Sequence, residues 1–374
     1  MQCRVAVFVG PGHPFELREY PVPDPEPGAI LVKIHLSNLC GSDLHQWRGD
    51  GGSILPPGGR VLGHEMVGEV ARLGAGVSTD SLGQPLREGD RIVYPYFYPC
   101  RRCWACTSGH FSLCERRAAH NLESADQWPH LNGGFGQYYY LRPGHFVFKV
   151  ADELSDEMVA SANCALSQVI HSLRQVDFGF SDTLVVQGAG GLGLYAIAVA
   201  REMGAGQIIA VDAIPQRLEL ARSFGADETV SLGELPTPEA RVERVRALTG
   251  GRGARVVMEL VGLPHVIPEG IEMVRPGGSY LEVGIVSARF SLDLFPAKLV
   301  RRNARYVGVN HYEPMVLGQA LEFLRRNRSR YPLDRIVSHR YPLDKIEEAF
   351  QAAEWFGRQP EQAAVTRAAI DPWM

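Results

Sequence analysis

Four of the chain's seven cysteines fall in one stretch of fifteen residues, CRRCWACTSGHFSLC, where Cys100, Cys103, Cys106 and Cys114 are separated by two, two and seven residues. Four soft thiolates at such short spacing saturate a tetrahedral Zn2+ and leave no position for a substrate, so the chemistry this loop offers is structural. Disulfides fit less well. The cysteine count is odd, and clustered thiols in a reducing compartment are better explained by metal. A redox C-x-x-C is also disfavoured, because the loop lies outside any thioredoxin-like strand–helix context.

A second stretch points to a dinucleotide. GAGGLG carries Gly188, Gly190 and Gly193 in the order G-x-G-x-x-G, with Gly191 and Leu192 completing the loop, between the apolar run TLVVQ and a helical pattern that begins LYAIAVA. In that setting the glycines permit a tight turn, let the backbone approach a pyrophosphate, and allow the helix to pack closely on the sheet. The helix N-terminus then offers free N–H groups and the positive end of its dipole to the phosphates. Asp212 closes the next apolar run, 19 positions after Gly193. A carboxylate there accepts hydrogen bonds from a ribose diol and repels a 2′-phosphate, which favours NAD over NADP. Arg217 follows five positions later and is read as adenine-side or solvent-facing.

Cys3, Cys40 and Cys164 remain. Cys40 opens CGSDLH, His64 and Glu65 sit in GHEMVGEVARLGAGV, and Cys164 sits in SANCALSQ. Two thiolates and an imidazole with a fourth position open are the donor set of a catalytic zinc. Taken singly, the two cysteines also read as small buried hydrophobes and His64 as a turn histidine. Spacing alone does not join residues 124 positions apart.

These motifs, the four-cysteine lobe and GAGGLG occur in the order and at about the separations of the zinc-dependent medium-chain alcohol dehydrogenases, a family the chain resembles over nearly its whole length. The resemblance implies that Cys40, His64 and Cys164 bind a catalytic zinc. It makes Glu65 an inner neighbour able to approach the metal and Asp43 the acceptor that orients His64. It also implies that Ser42 takes the substrate's hydroxyl proton and passes it through the cofactor ribose to His45. Polyol-type branches of the family often have Glu at the third ligand position, where this chain has Cys164. Four residues on, Gln168 stands where the family usually has a Thr packed on the nicotinamide.

The elements that must position these groups divide at about residue 165. Before it, runs such as AILVKIHL, MVGEVARLG and DRIVYPYF, separated by Gly and Pro, read as short strands joined by turns. After it, apolar strands alternate with helical segments, the mark of a parallel sheet with crossover helices. The expectation is an α/β chain. A GroES-like, mainly-β catalytic domain spans 1–165 and is completed by 310–374, and a Rossmann doubly wound parallel-sheet domain spans 166–309. Two helical patterns, VLGQALEFLRRNRSR and LDKIEEAFQAAEWFG, lie in the tail, which is expected to pack back on the first domain.

At 374 residues the chain suits two cores. Its formal net charge of −4 gives no basic field for nucleic acid or an anionic membrane surface. No targeting or membrane segment is visible, and the expected location is the cytoplasm. Family resemblance implies a homodimer or homotetramer joined through an edge strand of the cofactor domain, with GSYLEVGI and the following VSARFSLDLF as the candidate.

The expected activity is zinc- and NAD-dependent interconversion of an alcohol and its ketone or aldehyde, with two zinc ions per chain and a small-molecule alcohol as partner. A secondary or cyclic alcohol suits an apolar pocket, for which Trp47, Trp128 and Phe135 are candidate linings. A polyol or amino-alcohol dehydrogenase is the alternative within the family. A non-catalytic zinc-bearing scaffold is the alternative outside it.

Overall fold

The computed structural model describes the chain apart from residues 51–53, 117–121, 285–286, 288–289 and 355–365. It forms two compact units. Met1–Ser167, Tyr312–Glu354 and Arg367–Met374 make the first, and Gln168–His311 is the body of the second.

The strand Ile30–Asn38 organises the first unit. Its sequence ILVKIHLSN is apolar at five of nine positions and almost continuously buried, as a central strand covered on both faces is. Along one edge it pairs antiparallel with Glu65–Leu73. Its other edge is shared, Tyr138–Leu141 taking the first half and Ala368–Asp371 the last two residues. The seven-stranded sheet is completed by Arg91–Val93, Phe148–Lys149 and His339–Pro342, and a three-stranded sheet is built on Gln2–Phe8. Tail helices Val316–Asn327 and Ile346–Ala353 belong to this unit, while the WFG that ends the second helical pattern lies outside the described residues.

Register decides what meets at the end of that central strand. Asn38 pairs with Glu65 on one side and with Ala369 on the other, both antiparallel. Carried one or two residues past the paired ends, these ladders bring Cys40, His64 and Arg367 round a single point. The helix Gly41–Arg48 starts there, capped at Cys40, whose N–H donates to Asp43 Oδ2 at 3.0 Å, and it ends at Gly49 in the left-handed region with φ +85°.

The second unit is a six-stranded, wholly parallel sheet. Its spatial order is Glu228–Ser231, Gln207–Asp212, Thr183–Gln187, Ala254–Glu259, Val274–Glu282, Arg305–Gly308. This is the 3-2-1-4-5-6 order of the dinucleotide fold, and the direction of strand progression reverses beside Thr183–Gln187, the strand that leads into the glycine loop. The expected edge strand GSYLEVGI is not an edge. Val274–Glu282 is paired on both sides, and Arg305–Gly308 is the outer strand, because one more crossover follows it in the chain. VSARFSLDLF lies partly outside the described residues. Among the described residues no helix is long and apolar enough to cross a membrane.

Two carboxyl groups meet inside this sheet. Glu259 is fully buried and is register-paired with Glu282 on the next strand. Its Oε1 accepts the N–H groups of Val261 and Gly262 at 2.6 and 2.7 Å, while Oε2 has no hydrogen-bond partner among the described residues. Burial, then the neighbouring Glu282 carboxyl, pushes Glu259 well above its ordinary 4.5. The folded state therefore keeps a proton that the unfolded chain releases. The stability this contributes is full below about 4.5 and is lost as pH rises. Calorimetry between about pH 5 and pH 9 is expected to show the second unit melting earlier as pH rises. Glu282→Gln, which removes the neighbouring carboxyl but leaves Glu259 buried, is expected to weaken that trend, and equal slopes for the two proteins would contradict the part assigned to Glu282.

Candidate active site

At the meeting point of the three strand ends, one donor atom each from Cys40, His64, Glu65 and Cys164 lies within 4.8 Å of the others. Asp43 fixes two of them. Besides accepting from the Cys40 N–H, its Oδ1 accepts the Gly63 N–H at 3.2 Å and lies 3.4 Å from His64 Nδ1. With Nδ1 so engaged, the ring nitrogen left for the cluster is Nε2. Gly63 must be glycine, since φ is +86° and a Cβ would stand 2.9 Å from the Phe135 ring.

Cys164 arrives by a different device. It lies in a single π-helical turn, Ala162–Leu166, a distortion that recurs at functional sites because it turns one side chain out of the regular helical register. Asn163 anchors this turn, its amide donating to the carbonyls of His64 at 3.0 Å and Tyr94 at 2.9 Å. The Tyr312 hydroxyl donates to the Asn163 carbonyl. Tyr96 tilts against the His64 ring, with centroids 4.8 Å apart, and Phe97 and Tyr312 stand edge-on behind it.

The cluster's electrostatics suit a cation. Cys40 is drawn well below the ordinary thiol value by a hydrogen bond from Cys164, against the opposing effect of burial. Burial opposes a charge on His64, yet Asp43 and Cys40 hold it well above its ordinary value. Burial raises Glu65 to about 7, although Arg367 pulls the other way. Arg367 is paired with Glu65 Oε2, which also accepts from Ser161 Oγ at 2.8 Å, and Asn38 donates to that same Ser161 at 2.7 Å. Glu65 Oε1 has no partner among the described residues, although the residue is completely buried. Two sulfurs, a ring nitrogen and an orphaned carboxylate oxygen in one cluster match the N, S and O ligands of Zn2+.

Cys100, Cys103, Cys106 and Cys114 form the second such group, again with all four sulfurs within 4.8 Å of one another. Cys103 and Cys114 are 3.9 Å apart. This is close to the edge of about 3.8 Å that a tetrahedron with Zn–S bonds near 2.3 Å requires. Backbone N–H groups point at the sulfurs, as Cys100 does to Cys114 Sγ at 3.2 Å. The Cys103 thiol is lowered to about 6, chiefly by the Cys106 N–H. All seven cysteines are free thiols, and Cys3 is remote from both groups, donating to the Tyr20 carbonyl at 3.5 Å and pushed up to about 11 by burial.

Of the proposed relay, Ser42 is half-buried in the first turn of Gly41–Arg48 and His45 is buried one turn on, with Nδ1 2.9 Å from Asp50 Oδ1 and 3.1 Å from Arg48 Nη2. The i, i+3 spacing puts both on one helix face. Trp47 packs on Phe350 at 5.9 Å, Phe135 is wholly buried core beneath Gly63, and Trp128 is half exposed against Tyr140. The aromatic ring beside His64 is instead Tyr96, with Phe97 and Tyr312 buried behind it.

In the second unit the glycine loop has the tightness its pattern demands. Gly188 takes φ +96°, and a Cβ on Gly193 would lie 2.0 Å from the Gly188 carbonyl oxygen. The helix Gly191–Glu202 follows directly. Asp212 Oδ2 accepts the Ala189 N–H at 2.7 Å and Oδ1 the Ile214 N–H at 2.8 Å, so the acid both closes the loop and stands beside it. Arg217 is half-buried, its Nη1 lies 3.9 Å from the Cβ position of Gly190, and burial lowers its pKa. Gln168 Nε2 donates to the Val309 carbonyl at 3.1 Å.

Arg367, Asn163 and Tyr312 carry no sequence motif. The one signal for Arg367 is negative, a lone cation followed by the apolar run AAI in a tail otherwise read as packing.

Comparison with known proteins agrees with this geometry. Residues 26–152 match the alcohol dehydrogenase GroES-like domain and residues 191–326 the zinc-binding dehydrogenase domain. The chain is 34% identical over 350 residues to 5-exo-hydroxycamphor dehydrogenase of Pseudomonas putida, covering 93% of this chain and 95% of that one. It is 32% identical to a probable D-xylulose reductase A of Emericella nidulans over 76% of each chain. In three dimensions it is similar to an alcohol dehydrogenase from Thermotoga maritima, with a TM-score of 0.89, 28% identity and 99% of each chain covered.

Gly193→Ala is expected to destabilise the second unit by about 1–3 kcal/mol through overpacking and to weaken dinucleotide binding at least tenfold, read by urea unfolding and NADH fluorescence titration. Gly179→Ala, where a Cβ meets nothing within 4 Å, is the control expected to change neither. Equal behaviour of the two variants would contradict the assigned contact.

Proposed function

This chain belongs to the zinc-dependent medium-chain alcohol dehydrogenase family, and from that premise we propose that it interconverts a secondary or cyclic alcohol and its ketone by hydride transfer with NAD. The observation that carries the reading is the buried cluster of Cys40, His64, Glu65 and Cys164 with its unpartnered Glu65 Oε1. Cys40, His64 and Cys164 hold the catalytic zinc, and the four-cysteine lobe holds a second, structural one. Zinc at the first site supplies a Lewis acid that acidifies the substrate hydroxyl.

The chain's own residues do the rest. Asp43 holds His64 in one orientation, and Arg367 and Ser161 keep Glu65 beside the ligands. Ser42 is placed to accept the hydroxyl proton, and His45, one turn away and braced by Asp50, is the group that would pass it to solvent with a bound cofactor between them. Gly188, Gly190, Gly191, Leu192 and Gly193 cradle the pyrophosphate, Asp212 accepts from the ribose diol, and Arg217 lies on the adenine side. Tyr96 offers the alcohol an aromatic face next to His64, backed by the buried rings of Phe97 and Tyr312.

Support for a cyclic secondary alcohol comes from the Tyr96 ring beside His64 and from the likeness to a hydroxycamphor dehydrogenase. The likeness to a xylulose reductase makes polyols the competing class.

The test is turnover of primary, secondary, cyclic and polyhydroxy alcohols with NAD+ and, in parallel, NADP+. Turnover of cyclic or secondary alcohols with NAD+ is expected, and Ser42→Ala is expected to lower kcat by about 10²-fold. A preference for polyols or for NADP+ would overturn the corresponding part of the reading.

A further inference from the structure

Tyr312 and Glu313 open the segment that returns to the first unit, and they point their side chains at two different sites. Glu313 reaches the four-cysteine lobe. Its carboxylate accepts the Phe111 N–H at 2.8 Å, the Ser112 N–H at 3.3 Å and the Ser112 hydroxyl. These donors open the short turn Phe111–Leu113 that delivers Cys114. Tyr312, completely buried, reaches the other way, its hydroxyl on the Asn163 carbonyl and its ring against Phe97 and Tyr96. Asn163 precedes Cys164 and holds the His64 carbonyl.

Two adjacent residues thus bridge the lobe and the ligand cluster. A carboxylate accepting backbone N–H groups makes strong, charge-assisted bonds, and a fully buried tyrosine ring passes a displacement to its neighbours rather than absorbing it. From this geometry we propose that Glu313 is a positioning residue for the reaction. Through Tyr312 it couples the lobe to the backbone that carries His64 and Cys164 and to the aromatic surface beside them. The lobe is then part of the active site's alignment as well as a local staple. This rests on the zinc reading given above.

Cobalt(II) substitution with visible spectroscopy separates the two. Bands from the Cys40, His64 and Cys164 ion are identified by their loss in Cys164→Ser. Glu313→Ala is expected to shift those bands and to lower kcat for the alcohol about tenfold, with NADH affinity unchanged, the size usual for groups that orient metal ligands. Glu313→Gln, whose amide oxygen still accepts the Phe111 N–H, is expected to recover most of the loss. Tyr312→Phe, which leaves the lobe untouched, is expected to shift the same bands. Bands and kcat unaltered in Glu313→Ala overturn the coupling alone. If that variant does not fold, unaltered bands in Tyr312→Phe overturn it instead. Absence of cluster bands in the unaltered protein overturns the zinc reading and this inference together.

Discussion

Two thiols, an imidazole and a carboxylate converge within 4.8 Å, with His64 and Glu65 buried and Cys40 and Cys164 partly so. Such a group is under strong electrostatic constraint, because taking ionised donors out of water is costly unless opposite charge is close at hand. The first unit meets that constraint in part. Arg367 faces one oxygen of Glu65, and Cys40, Cys164 and His64 hold the remaining charge by sharing protons. Glu65 Oε1 is left over. A divalent cation in the middle satisfies what remains, and the surrounding fold makes sense as the means of holding four reluctant neighbours together.

That holding is done by register. The antiparallel ladders through Asn38 bring the ends of Ile30–Asn38, Glu65–Leu73 and Ala368–Asp371 to one place, and a one-residue slip in either ladder would turn the wrong face inward. Cys164 comes from outside the sheet on a π-helical turn, pinned by Asn163. Asp43 serves both as helix cap and as the acceptor for His64, so the helix Gly41–Arg48 cannot shift without moving the metal donors. Ser42 and His45 ride on that same helix.

What the amino-acid sequence disclosed follows from how local each feature is. The cysteine lobe and the glycine loop each complete their chemistry within about fifteen residues, so type and spacing suffice to read them. The alternation of strands and helices after residue 165 is likewise local, and with it the parallel sheet. The proposed ligand set Cys40, His64 and Cys164 is not local, and only resemblance to a family joins it. Arg367 was invisible because an isolated arginine in a tail has no pattern. The Tyr312–Glu313 bridge depends on contacts across some two hundred positions. The edge of the parallel sheet is hidden for a related reason: strand order is set by how many crossovers follow, and Arg305–Gly308 is too short and polar to announce itself. Phe135 was legible as aromatic but not as the ring that obliges residue 63 to be glycine.

The most direct test of the central claim is zinc stoichiometry, measured by mass spectrometry on the purified chain and on its Cys164→Ser variant. The account predicts two ions per chain in the first and one in the second, the survivor held by the four-cysteine lobe. A single ion in the unaltered chain, or two retained after Cys164→Ser, would contradict the assignment of Cys40, His64 and Cys164 as one metal centre.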